Sequence, residues 1–514
     1  MSTLQEPEIP ASAMPKDIDF NYFKNHKTSK IHVMPEGSQA PYVVGNTAQI
    51  IFNLPNTKRN AVINWDKSYV YMETTHDMTL GTGADGITSG YPIYENSADV
   101  FSRVHVKDNS KTLYSDDNLR LTSKVHELHG TTDHVDSSSY RMTNDNIKND
   151  NVGCFYNATT AAGIDWNSPN VNLNKNSPTL SVISTNKFIG RKHQIPVSIF
   201  CPILSGKNCF INSVVNNALQ IRITTNKEYI SGAKAIVKGG STPLVSVVKT
   251  ACMASKITIT NMYINLEMVE VDANDVYWQH LNAYLLQPKP EWASMGPSYG
   301  LPIKFTNTIH DNFTLSATEA RQTFALANGN MSHKRTYIFF KNSADVDTSP
   351  VGAVENLKAY HFSERYERAP IIDYNITINS KKLFENNVLG YENQYEQFKR
   401  CIELIPYETG LHSSARFPDY IYTAANLALT NVYNSSYCIG IDFTKSGAPN
   451  MLAGIDTRNE KSKTFNIQIN RRTAASGAGA GELVHNVGFE MYAVHVIDSI
   501  AYVDGESIKD VING

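Results

Sequence analysis

The chain has 514 residues, whereas single hydrophobic cores stop growing at roughly 250 to 300 residues, so two large domains are expected. Hydrophobic residues make up 41% and charged residues only 18%, with 27 Tyr and 20 Phe, a balance that favours strands and polar loops over long helices. A formal net charge of -3 argues against the concentrated basic surface that binding to a phosphate backbone needs, so no specific nucleic-acid binding is expected.

From the N-terminus, Met1 to Pro15 carries acids and prolines where a secretory signal needs a basic start and an apolar run, so no cleavable signal is expected. Residues 1–44 read as an extended N-terminal arm without a sustained hydrophobic period, dispensable for folding from Met1 to about Gln39, with regular structure starting near Asn46. Its basic stretch, Lys16, Lys24, Lys27 and Lys30, is offset by Asp17 and Asp19 and reads as a solvated face. Strands are then expected over Ala48 to Leu54, Ser68 to Met78 and Val100 to Val106, where β-formers lie between turn-rich segments. The clearest period-2 alternation is in Leu219-Gln-Ile-Arg-Ile-Thr224 and Phe465-Asn-Ile-Gln-Ile-Asn470, each a half-buried strand of a sandwich.

Helical spacing is short and infrequent. Leu121, Val125 and Leu128 form a weak stripe, Tyr391, Tyr395, Phe398 and Ile402 a stronger one. A third segment, Asn274 to Leu285, stops before Pro288 and Pro290. The longest apolar run, Ile195 to Leu204, is about half a membrane span and contains Pro196 and Pro202.

The two halves repeat one order of features. Val104-His-Val106, a polar turn, Leu113-Tyr114, Asp116-Asp117 and the weak helix correspond to Ile376-Thr-Ile378, a polar turn, Leu383-Phe384, Asn386-Asn387 and the strong helix. The alternating strands at Leu219 and Phe465 follow. Met262-Tyr263, in a strand ending at Val271-Asp272, then matches Met491-Tyr492, in a strand ending at Val503-Asp504. The repeat implies duplication: an all-β chain of two tandem sandwiches with a few short helices, residues 45–272 and 303–514, joined by a helix and Pro-rich connector at 273–302. Each half carries a long polar loop, 130–186 and 406–462, and the first, over about 136 to 182, is expected to project outward above its sandwich because a buried loop would strand backbone polar groups.

Motifs that could carry chemistry lack their context. Gly296-Pro-Ser298-Tyr-Gly300 matches a nucleophile elbow by letter but has neither the strand before nor the helix after it. His126-Glu127-Leu128-His129 lacks the second histidine of a zinc helix, because position 130 is Gly130, and adding His134 does not restore the spacing. Gly477-Ala-Gly479-Ala-Gly481 lacks the Lys-Ser/Thr of a phosphate cradle. The six cysteines, Cys154, Cys201, Cys209, Cys252, Cys401 and Cys438, form no CxxC pair and read as reduced thiols. Sequons at Asn157, Asn312, Asn330, Asn375 and Asn434 are discounted as products of an Asn-rich chain, and Asp116-Asp117 as turn acids without a partner base. No catalytic residue, cofactor or metal ligand is therefore expected, and the chain is read as not an enzyme.

Several segments carry a family resemblance. Phe52-Asn-Leu-Pro55, Asp66-Lys-Ser-Tyr-Val-Tyr-Met72 and Asp99-Val-Phe-Ser-Arg-Val-His-Val106 resemble the opening of major capsid proteins of the polinton-like virus, adintovirus and virophage group. Lys187 to Phe200, Lys334-Arg-Thr-Tyr-Ile-Phe-Phe340 and Asn379 to Tyr395 are similar to later segments of the same family, so the resemblance spans most of 45–505. It implies a double jelly roll in the capsid of a double-stranded DNA virus, assembled inside the host cell. Three copies would form a pseudo-hexameric homotrimer that tiles an icosahedral shell. Implied partners are further copies, minor capsid, penton or cement proteins, and an internal membrane. Under that reading Met14, Phe20, Tyr22 and Phe23 anchor the arm to neighbouring tiles on assembly. The alternatives are a trimeric jelly-roll attachment or glycan-binding protein, and a sandwich-fold glycoside hydrolase with paired carboxylates.

Overall fold

A computed structural model describes residues 26–37, 40–44, 46–56, 61–77, 86–92, 97–108, 111–129, 187–188, 192–204, 218–226, 231–237, 244–247, 256–275, 279, 301–326, 332–343, 369–402, 437–444, 454–457, 464–473, 488–503 and 508–513. In chain order the first half contains β1 (His26–Val33), β2 (Tyr42–Val43), β3 (Gln49–Asn53), β4 (Ala61–Asp77), β5 (Gly86–Pro92), β6 (Phe101–Lys107), β7 (Thr112–Asp116) and α1 (Leu119–His129). It continues with β8 (Lys187–Phe188), β9 (Lys192–Pro196), the single turn α2 (Val197–Phe200), β10 (Gln220–Thr225), β11 (Ser231–Val237), β12 (Leu244–Val247) and β13 (Lys256–Val271). The second half runs through β14 (Leu301–Leu315), β15 (Arg321–Ala325), β16 (His333–Asn342), β17 (Ile371–Ile378), β18 (Lys381–Lys382) and β19 (Val388–Leu389). After α3 (Gly390–Cys401) come β20 (Ile439–Asp442), β21 (Phe465–Arg471), β22 (Phe489–Val503) and β23 (Ile508–Asn513).

Strand order shows what these elements build. One sheet of the first half runs β1-β13-β4 with β9 beside β4, and the facing sheet runs β3-β10-β6-β7. In the second half the orders are β14-β22-β16-β20 and β15-β21-β17-β18. Strand for strand these are one pattern: β1, β13, β4 and β9 correspond to β14, β22, β16 and β20, and β3, β10, β6 and β7 to β15, β21, β17 and β18, with all pairs antiparallel. That is the jelly roll, drawn twice. Alternation places the core: Ile50 and Phe52 of β3, side by side with Ile223 and Ile221 of β10, point into the first sandwich, as Phe465, Ile467 and Ile469 point inward in the second.

Three expectations are corrected. Regular structure begins at His26, not near Asn46. β1 pairs with β13 over eight positions, His26 opposite Val271 through Val33 opposite Ile264, and so supplies the opening strand of the first jelly roll. The arm lacks apolar periodicity because an edge strand is held by ladder hydrogen bonds and here buries only one side chain, Val33. It is therefore part of the fold from His26 onward.

The second correction concerns β4, which starts at Ala61 rather than near Ser68. Ala61 to Trp65 are all buried, so the alternation that marks a half-exposed strand is missing, and the register against β13 shifts between Asn265 and Glu267. The third is the polar loop at 406–462. It contains β20, whose surroundings, Tyr437, Cys438, Ile439, Ile441 and Phe443, are buried. This is a fully buried apolar run of the kind that period counting overlooks. The other polar loop, 130–186, and almost all of the Asn274 to Leu285 helix lie outside the described residues.

Strands of an antiparallel sandwich alternate direction along the chain, so the connections after β1, β4, β7 and β10 leave from one end. Two of them meet there. β5, from the β4–β6 connection, pairs with β11, from the β10–β13 connection, in a separate sheet ordered β12-β11-β5.

Candidate assembly surface

Most of the motifs set aside in the sequence fall on residues that the structure does not describe. Gly296–Gly300, Gly477–Gly481 and His134 lie outside the described residues. His126 is exposed on α1 while Leu128, two residues on, is buried, and among the described residues no group of three His, Cys, Asp or Glu side chains could hold a metal ion. Cys201, Cys401 and Cys438 are buried free thiols. Asn375 is buried, its Nδ2 donating to Phe384 O at 3.0 Å and Asn387 Oδ1 at 2.9 Å, which removes it as a glycan acceptor. Among the described residues no helix is long and apolar enough to cross a membrane.

One cluster imitates a catalytic triad. His495 Nε2 donates to Asp311 Oδ2 at 2.9 Å, and its Nδ1 lies 3.0 Å from Thr336 Oγ1, which is 2.8 Å from His333 Nε2. His333, Thr336 and His495 have 0% exposure, so the hydroxyl has no solvent-facing side from which a substrate could be attacked. Burial, reinforced by His495, holds the His333 ring well below the usual histidine range, and hence neutral. The chain of bonds ties β14, β16 and β22 together.

A more informative arrangement lies where the two jelly rolls meet. Leu113 and Tyr114 of β7 and Leu119 of α1 share a buried cluster with Ile303 and Phe305 of β14 and Ala501 of β22, and the Tyr114 and Phe305 rings meet edge-on at 6.5 Å. Leu121, Val125 and Leu128, on the helical stripe seen in the sequence, are buried in the cluster that includes the second jelly roll's core. Polar contacts fix the register. His310 Nε2 donates to Asp116 Oδ1 at 3.0 Å, and Thr122 Oγ1 lies 3.3 Å from Thr308 Oγ1. Asp116 also accepts from Asn118 N at 2.8 Å, and its side chain has 0% exposure. Burial beside Asp116 pushes the Tyr114 phenol well up, so it stays protonated.

The duplicated counterpart of this seam is bare. Asn109-Ser110-Lys111-Thr112-Leu113-Tyr114 recurs as Asn379-Ser380-Lys381-Lys382-Leu383-Phe384, and the same spacing carries Asp116, Leu119, Thr122 and Ser123 onto Asn386, Leu389, Glu392 and Asn393. Leu113 and Leu119 are 1% and 0% exposed, whereas Leu383 and Leu389 are 38% and 58% exposed. Thr122 and Ser123 are buried; Glu392 and Asn393 are exposed. On the opposite flank β14 and β1 correspond. Met262-Tyr263 of β13 and Met491-Tyr492 of β22 begin an identical burial pattern over 262–267 and 491–496. His32 pairs with Asn265, three residues beyond Met262, as His310 pairs with Val494, three beyond Met491. By the same count Lys30, opposite Glu267, takes the place of Thr308, opposite Val496. Lys30 and His32 are exposed, while Thr308 and His310 are half-buried.

Sequence reading set Asp116 aside as a turn acid and missed its role as the acceptor between the two units. The Asn-Ser-Lys identity just before each Leu-aromatic pair was the available signal. It fixes which residues are duplicates, although not which of them is covered.

No protein-family model matches the sequence, and no curated protein does. Among solved structures, a chain in a cryo-EM structure of the Sputnik virophage matches with a TM-score of 0.52 at 11% identity, covering 100% of this chain and 93% of that one. The Faustovirus major capsid protein matches at a TM-score of 0.49 and 9% identity over 94% of this chain and 91% of that one. The mavirus major capsid protein matches at 0.44 and 11% over 99% and 95%. With its strand order repeated twice and its whole length superposing on the virophage chain, the protein has a double jelly-roll fold shared with a virion component.

Proposed function

We propose that this protein is the major capsid protein of a double-stranded DNA virus, forming a pseudo-hexameric homotrimer that tiles an icosahedral shell. One observation carries the reading: the face covered at β7 and α1 by the second jelly roll is exposed at its duplicate around Leu383, Leu389 and α3. A surface that one repeat buries against its neighbour and the other leaves open is half of a head-to-tail contact, and such contacts continue until a ring closes. Two jelly rolls per chain make three copies a ring of six similar positions. The likeness to a virophage chain supports placing that ring in a virion, and the double jelly roll suits a wall, since each sandwich keeps its core while the loops at one end vary.

The connections gathered at the β5-β11-β12 end, with the polar insertion that follows α1, form the outward face of the tile. Minor capsid, penton or cement proteins contact the remaining edges, and an internal membrane is compatible with the opposite end. Neither nucleic acid nor a cofactor is part of this role.

Light scattering of the purified full chain tests the proposal. A particle of three chains is expected, together with near-hexagonal tiles in negative stain; a monomer at micromolar concentration would overturn the reading.

A further inference from the structure

The two seams use different chemistry. Within the chain, α1 meets β14 through Thr122 and Thr308, two hydroxyls 3.3 Å apart, and β7 meets it through Asp116 and His310. At the duplicated positions Thr122 becomes Glu392 and Thr308 becomes Lys30, so a neutral contact is replaced by a pair of opposite charges. Asp116 and His310 become Asn386 and His32, so the carboxylate leaves one position just as a carboxylate enters the other.

We infer that Glu392 of one copy pairs with Lys30 of the next, and Asn386 of the first with His32 of the next, across the contact between protomers. This rests on the trimer proposed above and names its register.

Local structure presents both groups for this contact. Thr28, Lys30 and His32 are exposed at alternate positions of β1 and so share one face of an edge strand. The His32 ring lies against Tyr263 with centroids 4.6 Å apart, which steadies it. Lys30 stands opposite Glu267, but Glu267 Oε1 already accepts from Asn64 Nδ2 at 3.1 Å and faces Lys67 Nζ at 3.6 Å. Lys30 therefore does not depend on Glu267 for its counter-charge. Glu392 sits in the first turn of α3, where the helix dipole favours a carboxylate, and it is exposed beside the bare Leu389.

An occupant of the bare face must bring an exposed β-edge to meet apolar Leu383 and Leu389, with a cation beside the helix start. A second copy's β1 does both. The chemistry also serves specificity: in an intramolecular seam the two units are already tethered, whereas a contact between copies gains encounter rate and register from charge.

The experiment is a charge swap in the full chain. Lys30→Glu and Glu392→Lys are made singly and together, with oligomer size followed by sedimentation velocity across protein concentration. Each single variant should raise the concentration at which trimers dissociate by about tenfold or more, and the double variant should recover most of that loss. Both positions are exposed, so thermal midpoints of the dissociated chains should match the original. If Lys30→Glu fails to fold, Lys30→Gln tests the same contact, with an expected loss that shrinks as salt rises. Trimers that neither single variant weakens, or a double variant no better than the singles, would overturn the pairing while leaving the trimer in place. A parent chain that never trimerises would overturn the assembly reading itself.

Discussion

The first jelly roll's β7–α1 face and the second's β18–α3 face descend from one pattern, yet one is core and the other surface. Leu119 is fully buried and Leu389 is 58% exposed. The residue type at this position does not separate them, since a leucine opens the helical region in both halves. The difference comes from what stands next along the ring: for the first face a covalently linked neighbour, for the second only another molecule. A duplicated fold therefore provides its own control, because Leu113, Leu119 and Thr122 of the covered seam have counterparts, Leu383, Leu389 and Glu392, that stand uncovered.

The largest expected effect comes from removing the strand that opens the first half. Deleting residues 2–38 removes β1 and its eight pairings with β13, leaving the side of β13 away from β4 with only the two-residue β2 as a partner among the described residues. Cooperative unfolding of the first jelly roll should be lost, as judged by urea titration with far-UV circular dichroism. A truncated chain with an unchanged transition would show that β1 is ornamental and that the two halves are less alike than their strand orders indicate.

Next in size is the comparison itself. Leu119→Ala should cost about 2 to 5 kcal/mol of chain stability, the usual range for truncating a buried leucine. Leu389→Ala should change the stability of the dissociated chain by no more than about 0.5 kcal/mol, as at an ordinary surface position, while weakening association. Equal losses at both sites in chemical denaturation would break the argument.

The two cores also differ in polarity. Counted from the paired Met-Tyr anchors, His495 of the second half takes the place of Leu266 in the first, and Asp311 that of Val33. Acid should therefore weaken the second jelly roll through His333. Its folded pKa is lowered, so both states are neutral above the unfolded value of about 6.5; below that value the unfolded chain binds a proton that the folded chain refuses. Stability should fall by about 1.4 kcal/mol per pH unit below about pH 6.5, until the lowered folded pKa is reached. His333→Gln should flatten that slope. A slope unchanged in the variant would move the acid sensitivity elsewhere.

Much of this architecture was legible because repetition is a stronger signal than propensity. The alternating strands at Leu219 and Phe465, both short helices and the order of duplicated features could be read directly, each being local or internally redundant. What escaped was set by tertiary context. β1 has no apolar rhythm because it is an edge, and β20 has no alternation because both its faces are covered. Arg471 continues the inward phase of β21 as a cation, 1% exposed, and becomes legible only once its Nη1 is seen donating to Ser316 O at 2.9 Å with its guanidinium over the Phe489 ring. The seam was invisible for the same reason. Asp116 and Asn386 occupy like positions in like turns, and only the neighbour decides which is buried.

The smallest expected effect sharpens the comparison at the hairpin leading into each face. In the second half β17 and β18 are joined by Asn379 and Ser380, both with positive φ, 53° and 65°, with Ile378 paired to Lys381. Two left-handed residues in a two-residue connection form the hairpin turn whose twist matches that of its strands, and the sequence usually found there is Asn-Gly. Asn tolerates the left-handed region, but Ser pays for its Cβ, so Ser380→Gly removes that strain at the cost of extra freedom in the unfolded chain. In the first half Asn109 and Ser110 lie outside the described residues, and the residues flanking them are joined by Asp108 N donating to Lys111 O at 3.1 Å and Asp108 Oδ1 accepting from Lys111 N at 2.7 Å. Ser380→Gly should therefore raise stability by about 0.5 to 1 kcal/mol in urea unfolding, and it should leave association unchanged, since Leu383 and α3 keep their positions. A loss of stability would mean that the Ser380 side chain does something in this turn that glycine cannot.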